Sequence, residues 1–250
     1  MWELAILFAI LIGVLMGLLG GGGSVLLVPV LLYVLRLDAK SALATSQLVM
    51  VSTSLVAMVV HARAGNVVPR IGVLFGLLAM AGAYLGGRFA AYVPARLLLL
   101  GFVSLMLLSA LQMLRKRNNG ESQPSPAGLP SLRAVFIGFP TGVVAGLLGA
   151  GGGFLIVPAL SLFAGLPMAQ AVGTSLLVIT MQSVAGASGY LRHASVNPSI
   201  VAWLSVAMAT SSILGGLLAR RLPAAALRRI FAALLLVVAS FMLLRSLLAA

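Results

Sequence analysis

The chain has no cysteine and only three carboxylates, Glu3, Asp38 and Glu121, in 250 residues. Without thiols there is no disulfide, no thiolate metal site and no cysteine nucleophile. The carboxylates lie near the N-terminus, in a loop and in a polar stretch, so a paired-carboxylate hydrolase is excluded and no metal-ligand cluster forms. A buried acidic proton relay, common in coupled transporters, is missing as well. The chain is read as a non-enzyme that needs no cofactor or metal. Charged residues make up 8% of the sequence, against about a quarter in a soluble domain. No water-facing surface can be built from that.

What is abundant is apolar. Hydrophobic residues account for 62% of the chain and the mean hydropathy is +1.19. Runs near the roughly 20 residues that cross a bilayer recur along the sequence, and the expected class is an all-α polytopic membrane protein. The net charge of +13 is carried by single residues and short clusters at the ends of apolar runs, such as Arg115-Lys116-Arg117 and Arg228-Arg229. Such placement marks membrane orientation and lipid headgroups, and it leaves no basic, aromatic-studded surface for nucleic acid. Met1-Trp2-Glu3 lacks a basic leader region, so the first run is read as a retained helix with Trp2 at the interface.

The chain also repeats itself. Gly17-Leu18-Leu19-Gly20-Gly21-Gly22-Gly23-Ser24 through Pro29 returns as Gly146-Leu147-Leu148-Gly149-Ala150-Gly151-Gly152-Gly153 through Pro158, identical at nine of thirteen positions. The same offset of 129 pairs Thr45 with Thr174, Ser46 with Ser175, Arg63 with Arg192, Pro69 with Pro198 and Gly86 with Gly215. The expected organisation is a first repeat over 1–117, a polar linker over 118–130 and a second repeat over 131–250. Internal duplication with interrupted apolar segments points to a transporter with its site between the repeats.

Each repeat holds five apolar stretches, at 2–19, 24–35, 41–61, 68–88 and 96–114, then 131–148, 153–164, 169–190, 198–219 and 225–248. The second of each set spans only about 18 Å as a helix and follows a glycine run. A half-length or re-entrant segment is expected there, buried in protein or lining a cavity. If all five stretches cross, the repeats are inverted and ten of the sixteen basic residues share the linker's side. If each glycine break merges two stretches into one crossing, the basic residues divide evenly. The positive-inside rule favours inversion with a cytoplasmic linker.

Three groups of residues are candidates for chemistry. The glycine runs, Gly21, Gly22 and Gly23 with Ser24 and Gly151, Gly152 and Gly153, cost helix stability at about 1 kcal/mol per glycine. They are read as letting backbone approach a substrate, with short helices from Ser24 and Gly153 aiming N–H groups at an anion. Close helix packing is the alternative, and Gly13-x-x-x-Gly17 and Gly142-x-x-x-Gly146 are read that way. The third stretches carry Thr45, Ser46, Gln47 and Thr53, then Thr174, Ser175 and Gln182. Hydroxyls and amides in a dry core suit a weakly held oxyanion, though serines and threonines also bond their own helix carbonyls. The amides are costlier to bury unpaired. Arg63 and Arg192 follow as anion forks or ordinary snorkelling residues; His61 and His193 do not align and are read as loop residues rather than proton carriers.

The duplicated Gly-Leu-Leu-Gly-x-Gly-Gly element with Val-Pro after it, Ala44-Thr45-Ser46 with Gly173-Thr174-Ser175, and Tyr190-x-Arg192 resemble the TauE/SafE sulfite exporter family, also called the toluene-sulfonate uptake permease family. The resemblance spans both halves. It implies a multi-pass permease of a bacterial or archaeal inner membrane for sulfite, thiosulfate, sulfonates or similar sulfur anions. With both amides and both glycine loops around one site, alternating access between the repeats is the expected mechanism. The alternatives are a permease for another small anion or a non-transporting subunit of a larger membrane assembly. Without an intramembrane carboxylate, coupling rests on the substrate's own protonation, on an ion held by neutral oxygens, or on the anion gradient and membrane potential alone.

Overall fold

A computed structural model of the chain describes residues 2–90, 92–115, 136–148, 152–190, 194–219 and 221–248. The expected linker at 118–130 lies outside them. Among the described residues, ten helical elements run in chain order. The first half has α1 (Trp2–Leu19), an irregular helix α2, α3 (Ala39–Arg63), α4 (Pro69–Phe89) and α5 (Ala95–Arg115). The second has α6 (Gly138–Leu148), α7 (Gly153–Leu162), α8 (Met168–Tyr190), α9 (Pro198–Ala219) and α10 (Ala224–Leu248). Strands are absent among the described residues.

Local chemistry sets several of these boundaries. Asp38 caps α3, its carboxylate accepting the Ser41 N–H at 3.0 Å. Burial would raise its pKa, but hydrogen bonds from Ser41 together with the Asp38 and Lys40 backbone outweigh that and hold the carboxyl below its ordinary value. Pro69 opens α4 at a position where its missing N–H costs nothing. The expected short α-helix from Ser24 takes another form. Gly20–Leu26 winds as a 3₁₀ helix, Leu27–Pro29 makes one α turn and Val30–Val34 continues as a π turn, together forming α2. Glycine has little α propensity, and Pro29 removes a backbone donor from the α ladder just where the winding changes. The counterpart α7 begins at Gly153 as an α-helix and tolerates Pro158 inside it.

Among the described residues, six segments are long and apolar enough to cross a membrane, the first of them running from Leu4 to Val34. That segment is not one straight span. A side chain at Gly23 would strike the Met16 backbone, whereas residues seven apart on a straight helix are about 10 Å apart. The chain reverses at Gly20, which holds φ 66°, and α2 returns until Leu35 lines a crevice with Ala5, Ile6 and Ala9 of α1. The second half repeats the reversal: a Cβ on Gly152, at φ 58°, would strike that of Ala145, and these positions are equivalent to Gly23 and Met16. Each half therefore opens with a tight hairpin, reversing at Gly20 in the first half and returning from Gly152 in the second, where residues 149–151 lie outside the described residues.

Helix directions follow from residue contacts. Gly13 and Gly17 of α1 lie against Met208 and Ser212 of α9, and Gly142 and Gly146 of α6 lie against Ala79 and Ala83 of α4. A Cβ at any of the four would enter the neighbouring backbone, so the two GxxxG pairs are packing surfaces. Both contacts run parallel. Helices α3 and α8, which occupy equivalent places in the two halves, run antiparallel: Gln47 faces Gly186, and Ser54 faces Thr180 about two turns further along. Exchanging the two halves turns each principal helix contact into another: α1 on α9 into α6 on α4, α3 on α9 into α8 on α4, and α5 on α10 into itself. Large apolar side chains point outward from this bundle, among them Leu7, Leu77, Val206 and Val237, as lipid contact requires.

Candidate functional site

The two hairpins meet in the middle. A Cβ on Gly21 would stand 2.0 Å from the Cα of Gly153, and the reverse holds for Gly153, so backbone touches backbone there. Ser24 turns its hydroxyl back to the Gly21 carbonyl at 2.6 Å. Around this contact stand the polar residues of α3 and α8. The position of a Cβ on Gly20 lies 2.8 Å from Ser175 Oγ, and that of Gly152 lies 2.9 Å from Gln182 Nε2. Gly21, Gly22, Gly23, Ser24, Thr45, Ser46, Gln47, Thr53, Gly152, Gly153, Thr174, Ser175 and Gln182 are all buried, and no group among them is offered to solvent in this conformation.

Much of the hydroxyl chemistry is already committed. Ser46 donates to the Leu43 carbonyl at 2.8 Å, Thr53 to Val49 at 2.9 Å and Ser175 to Val172 at 2.7 Å, each within its own helix. That is the local back-bonding expected of serine and threonine in a helix. Thr174 instead accepts the Val68 N–H at 3.0 Å, which ties α8 to the start of α4. Gln47 reaches across the halves and donates from Nε2 to the Ala145 carbonyl at 3.4 Å. Helix ends leave their last carbonyls without intrahelical partners, and side chains from α3 and α8 supply several donors. Tyr190 donates to Leu147 at 2.6 Å, and His61 lies 2.8 Å from the Gly17 carbonyl through Nε2.

His61 differs from its expectation. It sits in the last turn of α3 with 2% of its surface exposed, not in a loop. Its position is equivalent to Tyr190, so two different rings latch the ends of α1 and α6. This pairing was visible as an offset of 129 but carried no signal of burial. Arg63, two residues on, is exposed and stands apart from the buried set. Gly151 and Arg192 lie outside the described residues. Sequence reasoning also passed over the Ala145 carbonyl and Gly186, whose roles appear only when α3 and α8 cross. Among the described residues, no three His, Cys, Asp or Glu side chains gather to hold a metal.

A multi-pass helical bundle with glycine-bent hairpins meeting among buried polar side chains belongs to the membrane transporters, and comparison with known proteins narrows the class. The model of the sulfite exporter TauE/SafE family matches residues 5–242. The chain is 35% identical over 241 residues to a probable membrane transporter protein of Xylella fastidiosa, covering 94% of this chain and 92% of the relative. It is 31% identical to the probable membrane transporter protein YdhB of Bacillus subtilis over 78% of this chain and 80% of that protein. A probable membrane transporter protein of Haemophilus influenzae is 27% identical over 97% and 98% of the two chains. No solved structure matches. The protein is a member of the TauE/SafE family, a family of membrane transporters and not of enzymes.

Proposed function

We propose that the protein moves a small sulfur-containing anion across the cell membrane by alternating access between two inverted halves, with the anion held where the glycine hairpins meet α3 and α8. The observation that carries this reading is the antiparallel crossing of α3 and α8 beside the Gly21–Gly153 contact. Equivalent helices that run in opposite directions are related by an axis in the membrane plane, the arrangement of inverted-repeat transporters. The glycine bends bring irregular backbone to mid-membrane only where protein surrounds it, as a substrate site requires. The net charge of +13 and the absence of any carboxylate in the buried set favour an anion. The substrate class comes from the family.

Purified protein in liposomes, loaded in turn with labelled sulfite, thiosulfate and taurine, tests it. At least one of these should cross in a saturable way, above the leak of protein-free liposomes. Gln182→Leu or Ser175→Val should lower that flux while folded, membrane-inserted protein remains. Absence of saturable flux for every sulfur anion contradicts the reading.

A further inference from the structure

Two buried oxygens stand at the crossing of α3 and α8. Among the described residues, Gln47 Oε1 and Ser183 Oγ have no hydrogen-bond partner, although both residues are fully buried. Buried polar atoms are rarely left so. Ser183 is the exception among the buried hydroxyls of its helix: Ser175 donates to its own main chain, as does the half-buried Thr180, and Thr174 accepts from Val68. Its equivalent in the first half, Ser54, donates to Met50 at 2.5 Å and also meets Thr180 at 2.8 Å. The position equivalent to Thr180 is Val51, which has no hydroxyl. The hydroxyl on the Ser54 side of the crossing is committed, and that of Ser183 is not.

The Gln47 amide cannot exchange its two ends freely. Nε2 faces the Ala145 carbonyl, which only accepts, so the amide nitrogen must point there and the oxygen must point away. The amide rests against Gly186, with Nε2 2.7 Å and Oε1 3.6 Å from where a Cβ would stand. Gly186 follows Ser183 by three residues, and side chains so spaced on a helix lie about 5–6 Å apart on one face. A locked acceptor thus stands one turn from an unused hydroxyl donor. We infer that Gln47 and Ser183 select a singly protonated oxyanion, with Ser183 donating to an anionic oxygen and Gln47 Oε1 accepting the anion's own O–H. This rests on the permease reading and narrows its substrate: hydrogen sulfite carries such a proton, while sulfate and thiosulfate near neutral pH do not. A dianion would set a bare oxygen against the Gln47 carbonyl. With no carboxylate in the buried set, the proton travels on the substrate.

The titratable groups on the helices packed around the pair are Lys40, His61 and Arg63 of α3, Arg70, Tyr84 and Arg88 of α4, and Tyr190 of α8. Of these only His61 and Tyr190 are buried. A control at His61 therefore separates its titration from that of the substrate.

The test is the initial flux of labelled sulfite in proteoliposomes at equal inside and outside pH, with total sulfite fixed and the leak of empty liposomes subtracted. The rate should fall as pH rises through the hydrogen sulfite–sulfite equilibrium, in proportion to the protonated fraction. Thiosulfate and sulfate should be poorer substrates and competitors by about 100-fold or more, since a site built around a substrate O–H rejects analogues lacking it. Ser183→Ala should raise KM roughly tenfold, with Ser183→Thr restoring it, and Gln47→Leu should erase the preference for the protonated anion. His61→Tyr, the residue found at the equivalent place in the second half, should keep the pH profile. A rate that tracks the dianion, thiosulfate moving as well as sulfite, or a profile lost in His61→Tyr overturns the selection while leaving the permease standing. Flux of no sulfur anion at any pH overturns both.

Discussion

The two halves share a backbone plan and differ in the polar groups laid over it. In both, a GxxxG face packs against a small-residue helix of the other half, a glycine bend reverses the chain, and a ring from the third helix latches the end of the first. Yet the latch is His61 in one half and Tyr190 in the other, and the hydroxyl contact Ser54–Thr180 has no equivalent at Val51. Steric demands at the GxxxG glycines leave no freedom, because a single Cβ would enter a neighbouring backbone. Side-chain hydrogen bonding leaves a great deal, because any donor of suitable reach satisfies a carbonyl. Packing is therefore duplicated closely while side-chain hydrogen bonding differs between the halves.

The largest effect should come from breaking what the halves share. Gly17→Val, at a glycine both halves carry, would drive a branched side chain into the Ser212 backbone and cost about 3 kcal/mol, the upper end for overpacking. It should be seen as loss of monodisperse, heat-stable protein in detergent. Gly65→Ala is the contrast. Nothing lies within 4 Å of its Cβ position, and only the φ of 72° resists, so about 1–2 kcal/mol is expected. Equal costs at the two sites would break the packing argument.

Next in size is the latch. Tyr190→Phe leaves the Leu147 carbonyl without its donor and should cost about 1–3 kcal/mol in thermal unfolding. Tyr190→His, which copies the first half, should recover part of that loss. If His and Phe are equally destabilising there, the two rings are not equivalent.

Much of this architecture was legible in the sequence. Apolar stretches at 41–61 and 68–88 became Ala39–Arg63 and Pro69–Phe89, and the break at each glycine run became a reversal. Composition and spacing carry that information because a bilayer leaves a segment few choices. The winding of Gly20–Val34 was not legible, since 3₁₀, α and π turns differ by small energies that Pro29 and tertiary contact decide. Nor could the sequence separate Ser46 and Ser175, whose protons go to their own helices, from Ser183, whose proton does not. That distinction belongs to the crossing of α3 and α8. Arg63 looked like an anion fork for the same reason: its exposure depends on where α3 ends relative to its neighbours.

Smaller changes sharpen the comparison. Thr180→Val gives the Ser54 side of the crossing the valine that stands at Val51 on the other. It should cost at most about 0.6 kcal/mol, the average for an interhelical hydrogen bond in a membrane, because both hydroxyl protons also have carbonyl partners on their own helices. A loss several times larger would mean the two sides are not interchangeable. Arg36 holds φ 54° where its equivalent is Gly165 at φ 66°. Arg36→Gly should therefore stabilise the fold by up to about 1 kcal/mol as the left-handed strain is removed, and a fall in the melting temperature would contradict that.

The account stands or falls on the inverted relation of the halves, and the cysteine-free chain allows a direct measurement. Asn66 and Ser195 are equivalent positions in the loops after α3 and α8. Single cysteines there, Asn66→Cys and Ser195→Cys, are exposed to an impermeant thiol reagent in intact cells and again after the membrane is opened. The prediction is that one is labelled from outside and the other only after opening. Labelling of both from the same side would place the halves in one orientation and contradict the account.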